Sequence, residues 1–183
     1  MVSLETPICN FGWRAPGFDL AGTDGNARTL EQIAGANGTL VMFISNHCPY
    51  VKAIAGRLGE DMNVLQAAGI GAIAIMSNDT DAYPEDSFEN MKAFAAANAF
   101  SFPYVIDETQ ETAKAYEAIC TPDFFGFNRD LELQYRGRLD DAGRDPSRHD
   151  TKRELVEAML GIAKTGKGPK NQIPSIGCSI KWR

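Results

Sequence analysis

The sequence predicts an α/β sandwich with a mixed central sheet. Short apolar segments rich in β-branched residues alternate along the chain with segments whose apolar residues recur at helical spacing. The alternation follows the order β-α-β-α-β and continues as a hairpin and a last helix. This order favours helices packed on a sheet of parallel and antiparallel strands. A chain of 183 residues can bury a substantial core as one domain.

The first half of the chain is predicted to contain an edge strand followed by alternating helices and strands. The elements are an edge strand over 15–20, a turn at Asp24-Gly25, a short helix over 30–35, a strand over 39–45, a helix over 49–68 and a strand over 70–76. The strands over 39–45 and 70–76 are almost entirely apolar, which is typical of strands buried on both faces. Helix 49–68 has apolar residues three and four positions apart, so one of its faces is expected to pack on the sheet.

The second half begins after a polar loop over 77–86. Asp86 and Glu89 have capping-box spacing, which predicts Asp86 as the N-cap of a helix with apolar residues at Phe88, Met91 and Phe94. The remaining elements are a strand over 102–106, a helix to about 118 capped by Asp107 and Gln110, strands over 124–127 and 131–136 around a turn at 128–130, and a last helix opened by Thr151 and Glu154.

Composition and charge exclude several classes of function. The net charge of −6 argues against nucleic acid or an anionic membrane surface as the main partner. The first 30 residues show no secretory signal pattern, and no apolar run is long enough to span a bilayer, so a cytoplasmic location is expected. The four cysteines and two histidines match no zinc spacing, and the sequence predicts no metal site and no cofactor.

The most informative motif is Cys48-Pro49-Tyr50-Val51, which lies where the predicted strand 39–45 gives way to a helix. Pro49 suits the first helical turn, which places Cys48 at or beside the N-cap. Unpaired N–H groups and the positive end of the helix dipole favour a thiolate there, which makes Cys48 a candidate nucleophile. The alternative is a small buried apolar residue. Val51 stands where a dithiol redox protein has its second cysteine.

Four segments carry a resemblance to a known family. The segments over 15–20, 45–51, 120–125 and 174–182 resemble the redoxin branch of the thioredoxin fold, namely the alkyl hydroperoxide reductase/thiol-specific antioxidant group and a peroxiredoxin-like subgroup of it. The resemblance implies a thioredoxin-like three-layer sandwich with an N-terminal strand extension. We therefore expect a single thioredoxin-like (redoxin) domain over 1–165 and a C-terminal tail over 166–183 packed on it.

The resemblance also implies which residues surround Cys48. Thr121-Pro122 resembles a cis-proline loop that faces the reactive cysteine, and the Thr121 backbone is then expected to pair with the extended chain of a substrate. Cys120 becomes a candidate resolving thiol, with a buried core cysteine as the alternative. Cys178 is a second candidate, because the tail could fold back over the site, and simple packing of the tail is its alternative.

The chain departs from both standard redoxin sites. Ser45 stands where peroxiredoxins have a peroxide-polarising threonine, Val41 replaces their proline, and only Arg136 and Arg138 are candidates for their arginine. Met42 occupies the position at which dithiol thioredoxins bury an acid.

The position of the cysteine differs as well. Cys48 matches the first thioredoxin cysteine rather than the peroxidatic position, one helical turn later. His47 either adds positive charge near the thiolate or lies on the surface, because neighbouring side chains at a strand end point apart.

Three functions remain open on these residues. The leading hypothesis is a thiol–disulfide oxidoreductase in which Cys48 attacks a disulfide or an oxidised thiol. A divergent thiol peroxidase would instead oxidise Cys48 to a sulfenic acid with a peroxide substrate. A binding or redox-sensing module would present the cis-proline loop to a partner without turnover. Both enzymatic alternatives require a reducing thiol such as thioredoxin or glutathione.

Overall fold

The computed structural model describes residues 3–183. Its strands are β1 (Ser3–Glu5), β2 (Asp19–Gly22), β3 (Ala27–Thr29), β4 (Gly38–Phe43), β5 (Ile70–Met76), β6 (Tyr104–Ile106), β7 (Cys120–Thr121), β8 (Asp123–Phe127), β9 (Leu133–Tyr135) and β10 (Ile176–Ser179). Its helices are α1 (Leu30–Ile33), α2 (Pro49–Ala67), α3 (Phe88–Ala97), α4 (Glu111–Ala115) and α5 (Glu154–Thr165).

A seven-stranded mixed sheet forms the middle layer, with the strand order β3-β2-β6-β5-β4-β8-β9. The β4–β5 and β5–β6 pairs are parallel, and the other pairs are antiparallel. The parallel pairs follow from the helical crossovers α2 and α3, whereas β8 and β9 form a hairpin. The α/β class and the mixed sheet are therefore as the sequence predicts.

Each face of the sheet is covered by a separate apolar layer. Alternate residues of β4 point to opposite faces, so that Leu40 and Met42 pack with α2 and α5, while Val41 and Phe43 pack on the other side. That second side is covered by the chain around α1 and α4, including Tyr116. The two layers explain why β4 and β5 are apolar at almost every position.

A second, three-stranded sheet lies beside the start of α2. β10 runs between β1 and β7 and is antiparallel to both. The tail predicted over 166–183 thus supplies the central strand of this sheet, and Cys178 and Ile180 are buried. In residues 3–183, no helix has both the length and the apolar character needed to cross a membrane.

Five predicted strands have wrong limits. Two of them differ only at their first residue, since β6 begins at Tyr104 rather than at 102 and β8 at Asp123 rather than at 124. The edge strand predicted over 15–20 begins only at Asp19, because Pro16 has no N–H with which to join a ladder. The strand predicted over 39–45 ends at Phe43, and β9 spans Leu133–Tyr135 instead of 131–136. The strand over 70–76 is confirmed, and helix α2 ends one residue before the predicted position.

The predicted helix caps are also corrected. Asp86 is not the N-cap of α3: Ser87 is, and its side chain accepts a hydrogen bond from the Asn90 amide. The helix predicted to reach 118 ends at Ala115. Its N-cap, Gln110, makes no side-chain capping bond, whereas the Asp107 carboxylate accepts from the Thr112 and Ala113 amides, as predicted for Asp107. The last helix begins at Glu154 after an uncapped Arg153, without participation of Thr151.

Candidate active site

Cys48 is the N-cap residue of α2, as the sequence predicts. The chain leaves β4, turns through three polar residues and enters α2 at Pro49, so the thiol lies at the positive end of a 19-residue helix. The Cys48 Sγ donates a hydrogen bond to the Thr121 carbonyl oxygen at 3.0 Å. Cys48 is 0% exposed, and Val51 is buried in the core beneath the helix.

The Thr121–Pro122 peptide bond is cis, which agrees with the resemblance. Thr121 ends β7, and the chain continues from Pro122 directly into β8. Because β8 pairs with β4, the loop lies beside the end of β4 from which Cys48 follows. The structure therefore brings Thr121 and Pro122 to the candidate nucleophile.

Cys178 lies on the same side of this loop as Cys48. Its Cα is the β10 partner of Thr121 in the ladder, and Thr121 is the residue whose carbonyl oxygen accepts the Cys48 hydrogen bond. Burial raises the pKa of Cys178 to about 12, with a further contribution from the neighbouring Cys48. A thiol with a raised pKa stays protonated at neutral pH.

Cys120 is also buried, but it is directed differently. It is the ladder partner of Ser179 rather than of Cys178, and neighbouring residues of a strand point to opposite faces. Its Sγ lies 3.7 Å from the Pro122 carbonyl oxygen. Burial, followed by the charge of Asp123, raises the pKa of Cys120. Of the two candidate resolving thiols, Cys178 is the one opposite Thr121, whose carbonyl oxygen contacts Cys48.

Sequence analysis missed the central role of Asp86. This carboxylate is 0% exposed and accepts hydrogen bonds from the Asn46 amide at 2.8 Å, the Asn78 side chain at 2.7 Å and the Ser45 hydroxyl at 3.1 Å. It also accepts from the His47 amide at 3.2 Å. One feature of the sequence could have predicted it. Polar segments follow both β4 and β5, and they must meet because these parallel strands are neighbours.

His47 and Ser45 are both bound to this carboxylate. The His47 Nδ1 lies 2.6 Å from the Asp86 Oδ2, and the imidazole stacks on Tyr83 with ring centroids 5.4 Å apart. The Ser45 hydroxyl donates to Asp86 and is therefore not directed at the Cys48 thiol. These residues fix the turn before Cys48.

The two arginine candidates are both held in ion pairs. Arg136 is 2.9 Å from Asp123 and packs over the Phe125 ring, and Arg138 is paired with Glu154. Each guanidinium group therefore already has a carboxylate partner.

A groove with a volume of about 250 Å³ opens beside the site. It is lined by Tyr50, Pro122 and the tail residues Ile173–Ile176. Its other walls combine apolar and charged side chains, namely Ile54, Phe124, Leu139, Arg138, Asp140 and Arg144, with Gly143. The Arg144 guanidinium lies 4.8 Å from the centre of the Tyr50 ring. Cys48 and Cys178 do not line the groove. In the described part of the chain, no group of three metal-ligating side chains could hold an ion.

A mixed α/β sandwich with a cysteine at a helix start beside a cis-proline defines a thioredoxin-fold thiol protein. The chain matches the model of the AhpC/TSA family over residues 11–136, and it belongs to this family. The fold and the family identify the protein as a redoxin with a thiol-redox character.

Three solved structures illustrate the similarity. An uncharacterized conserved protein from Geobacillus kaustophilus is 45% identical, with a TM-score of 0.91, and the alignment covers 100% of this chain and 97% of that one. A hypothetical protein from Sinorhizobium meliloti 1021 is 38% identical, with a TM-score of 0.89 and coverages of 98% and 97%. The thioredoxin domain of a thiol-disulfide oxidoreductase from Bacteroides vulgatus shares the fold at 16% identity, with a TM-score of 0.58 and coverages of 69% and 86%. No curated protein matches the chain.

Proposed function

We propose that the protein is a thiol–disulfide oxidoreductase in which Cys48 is the nucleophile and Cys178 the resolving thiol. The observation that carries this proposal is the register of β10, which sets Cys178 opposite Thr121, the residue whose carbonyl oxygen contacts the Cys48 thiol at the start of α2. Thiol–disulfide exchange needs a nucleophilic cysteine and a second thiol within reach of the same sulfur. Cys48 at the start of α2 is the proposed nucleophile, and β10 supplies the second thiol.

The reaction takes place in two exchange steps. The Cys48 thiolate attacks one sulfur of a substrate disulfide, a Cys48–substrate disulfide forms, and the other substrate sulfur leaves as a thiolate that takes up a proton. Cys178 then gives up its proton and attacks the Cys48 sulfur, which releases the second substrate thiol. The substrate gains two electrons, and the protein is left with a Cys48–Cys178 disulfide. Two equivalents of a reducing thiol, or one dithiol such as thioredoxin, restore both cysteines.

The divergent peroxidase is the less favoured alternative. A peroxidatic cysteine needs donors that polarise the peroxide oxygen, but Ser45 donates to Asp86, and Arg136 and Arg138 are held by Asp123 and Glu154. A binding or sensing module without turnover is the other alternative. The proposed setting is the cytoplasm, where reducing thiols would return both cysteines to the reduced state.

Disulfide mapping tests the proposal. The reduced full-length protein is treated with a stoichiometric low-molecular-weight disulfide, and its cysteine pairs are mapped by mass spectrometry. We expect a Cys48–Cys178 disulfide in the wild type and a trapped Cys48–reagent disulfide in Cys178→Ser, with insulin reduction abolished by Cys48→Ser. Cys9→Ser and Cys120→Ser are the controls and should keep the pair. A Cys48–Cys120 disulfide would refute the assignment, whereas rapid sulfenate formation with hydrogen peroxide would favour the peroxidase.

A further inference from the structure

The nucleophile of the proposed reaction is fully enclosed. Cys48 is 0% exposed and Cys178 is 2% exposed. The groove beside Tyr50 and Pro122 approaches the site, but neither thiol lines it. A sulfur atom of an external disulfide must contact the Cys48 Sγ directly in order to exchange with it. Some covering element must therefore move before an external disulfide can react.

Strand β10 is the element that covers the thiol. Cys178 pairs with Thr121 and Ser179 with Cys120, so β10 occupies the backbone edge of β7 next to the cis-proline. Two further bonds continue this contact: the Ser175 hydroxyl donates to the Pro122 carbonyl oxygen at 2.8 Å, and the Ile180 amide donates to the Ile119 carbonyl oxygen at 3.1 Å.

Hydrogen bonds also hold the tail on the C-terminal side of β10. The Lys181 amide donates to the Asn78 side-chain oxygen at 2.9 Å, and the Gln110 side chain donates to the Lys181 carbonyl oxygen at 2.8 Å. Asn78 is the same residue that donates to Asp86 below His47. The cover is thus tied to the turn before Cys48, and its opening must break a defined set of hydrogen bonds.

Gly177 allows the cover to close. A Cβ built on Gly177 would lie 2.1 Å from the Thr121 carbonyl oxygen and 3.0 Å from the Pro122 nitrogen. Both atoms belong to the backbone and cannot turn aside as a flexible side chain would. Only a glycine therefore lets β10 lie this close to the cis-proline loop, directly before Cys178.

Resting on the proposed function, we propose that β10 is an exchangeable cover that an extended segment of a protein substrate replaces. When β10 leaves, the backbone groups of Thr121 lose their partners, and an open strand edge of this kind pairs readily with an incoming extended chain. The geometry of β10 defines the segment that fits: a cysteine opposite Thr121 with a glycine directly before it. The substrate class is therefore a polypeptide disulfide whose cysteine follows a glycine in an extended segment.

The first experiment measures access to Cys48 in the full-length protein. The alkylation rate of Cys48 by iodoacetamide is followed by peptide mass spectrometry in the native protein and in the same protein unfolded in urea. We expect native protection of at least about a hundredfold, since a buried thiol reacts only through local opening. Native alkylation within about tenfold of the unfolded rate would overturn the proposal.

The second experiment weakens the cover. Gly177→Ala is expected to raise the native alkylation rate of Cys48 at least about tenfold, because the added methyl group displaces β10. Gly161→Ala is the matched control and should leave the rate unchanged, since a Cβ there meets no atom within 4 Å. An unchanged rate in Gly177→Ala would refute the role of β10. Should that variant fail to fold, Ser175→Ala, which removes the hydrogen bond to the Pro122 carbonyl oxygen, takes its place and should also raise the rate. An unchanged rate there would likewise refute the role of β10.

The third experiment tests the substrate class. A synthetic peptide with the sequence of residues 173–182, activated at its cysteine as an aromatic mixed disulfide, is added to full-length Cys178→Ser. We expect Cys48 to form a disulfide with this peptide at least about tenfold faster than with a peptide that has alanine in place of the glycine. Equal rates would refute the requirement for a glycine directly before the cysteine.

The outcomes separate this proposal from the proposed function. Alkylation reports only on the accessibility of Cys48. Protection of Cys48 without formation of a Cys48–Cys178 disulfide would therefore support the cover formed by β10 and refute the proposed exchange reaction. Turnover of a disulfide substrate by an unprotected Cys48 would support the reaction and refute the cover.

Discussion

Asp86 holds the turn directly before Cys48, the candidate nucleophile. It is fully buried and accepts hydrogen bonds from two amides of the turn 45–47 and from the Asn78 side chain. A buried carboxylate with this many donors is stabilising only while the whole set is present. The position of Cys48 on α2 is therefore coupled to a residue almost forty positions later in the chain.

Replacement of Asp86 is expected to destabilise the fold. In Asp86→Ala the amides of Asn46 and His47 lose their buried acceptor, which should lower the free energy of unfolding by about 3 kcal/mol. Urea unfolding measures the change. The matched control is Asp81→Ala, whose side chain is 87% exposed and which should change stability by less than about 0.5 kcal/mol. A similar small effect of Asp86→Ala would show that the turn does not depend on this carboxylate.

The titration of Cys178 makes stability depend on alkaline pH. Burial and the neighbouring Cys48 raise the pKa of Cys178 to about 12, whereas an unfolded cysteine titrates near about 8.5. The raised folded pKa means that this contribution to stability is complete below about pH 8.5 and is lost as the pH rises toward 12. We expect the free energy of unfolding of the reduced protein to fall over this window, and to fall less steeply in Cys178→Ala. Parallel pH profiles of the two proteins would contradict the prediction.

The sequence locates the candidate nucleophile Cys48 and its loop but not the residues that support them. Cys48 stands out because local rules for a strand end and a helix start apply to it, whereas Thr121-Pro122 is predicted only by the resemblance to redoxins. The spacing of Asp86 to Glu89 fits the local rule for a helix cap. The groups that actually donate hydrogen bonds to Asp86 belong to residues elsewhere in the sequence. The choice between Cys120 and Cys178 depends on the register of β10 against β7, which no local pattern encodes.

Among the strands and helices, two glycines show how the space around the Cα determines the effect of a substitution by alanine. Gly71 lies in β5, and a Cβ there would be 1.8 Å from the Ile33 carbonyl oxygen. Gly56 lies in α2, and a Cβ there would meet nothing within 4 Å. The same change to alanine should therefore have opposite effects at the two positions.

The expected effects can be measured by thermal or urea unfolding. Gly71→Ala should lower the free energy of unfolding by about 3 kcal/mol, because the strand must move away from the chain after α1. Gly56→Ala should raise it by about 0.5–1 kcal/mol, because alanine has the better helix propensity. Destabilisation by Gly56→Ala, or none by Gly71→Ala, would contradict the packing argument.

The elements that sequence analysis locates best are those with strong periodicity. β5 and α2 are long and regular, and their limits are found to within one residue. The segment over 15–20 has an apolar pattern, but Pro16 has no N–H with which to pair. The strand therefore spans Asp19–Gly22 instead. α4 is short, and the Asp107 carboxylate accepts hydrogen bonds from the Thr112 and Ala113 amides of its first turn, so the predicted role of Asp107 is confirmed although the helix is shorter than predicted.

In the whole molecule, segments near the two ends of the chain meet in the sheet beside the candidate active site. The Thr6 amide donates to the Ser175 carbonyl oxygen at 2.9 Å, and β1 pairs with β10. Contacts between residues so far apart in the chain do not affect local sequence spacing, so the sequence does not predict that the tail forms the central strand of a second sheet. The cover over Cys48 depends on these long-range contacts.

Oxidation should stabilise the whole molecule if Cys48 and Cys178 form a disulfide. The bond would close a loop of about 130 residues, and the loss of unfolded-state entropy for such a loop corresponds to at most about 5 kcal/mol. We expect the oxidised protein to unfold at a clearly higher urea concentration than the reduced protein, with a gain of about 2–5 kcal/mol. The gain should disappear in Cys178→Ser and persist in Cys9→Ser. If the oxidised and reduced proteins unfold together, or if the gain depends on Cys120 instead, the pairing of Cys48 with Cys178 is wrong.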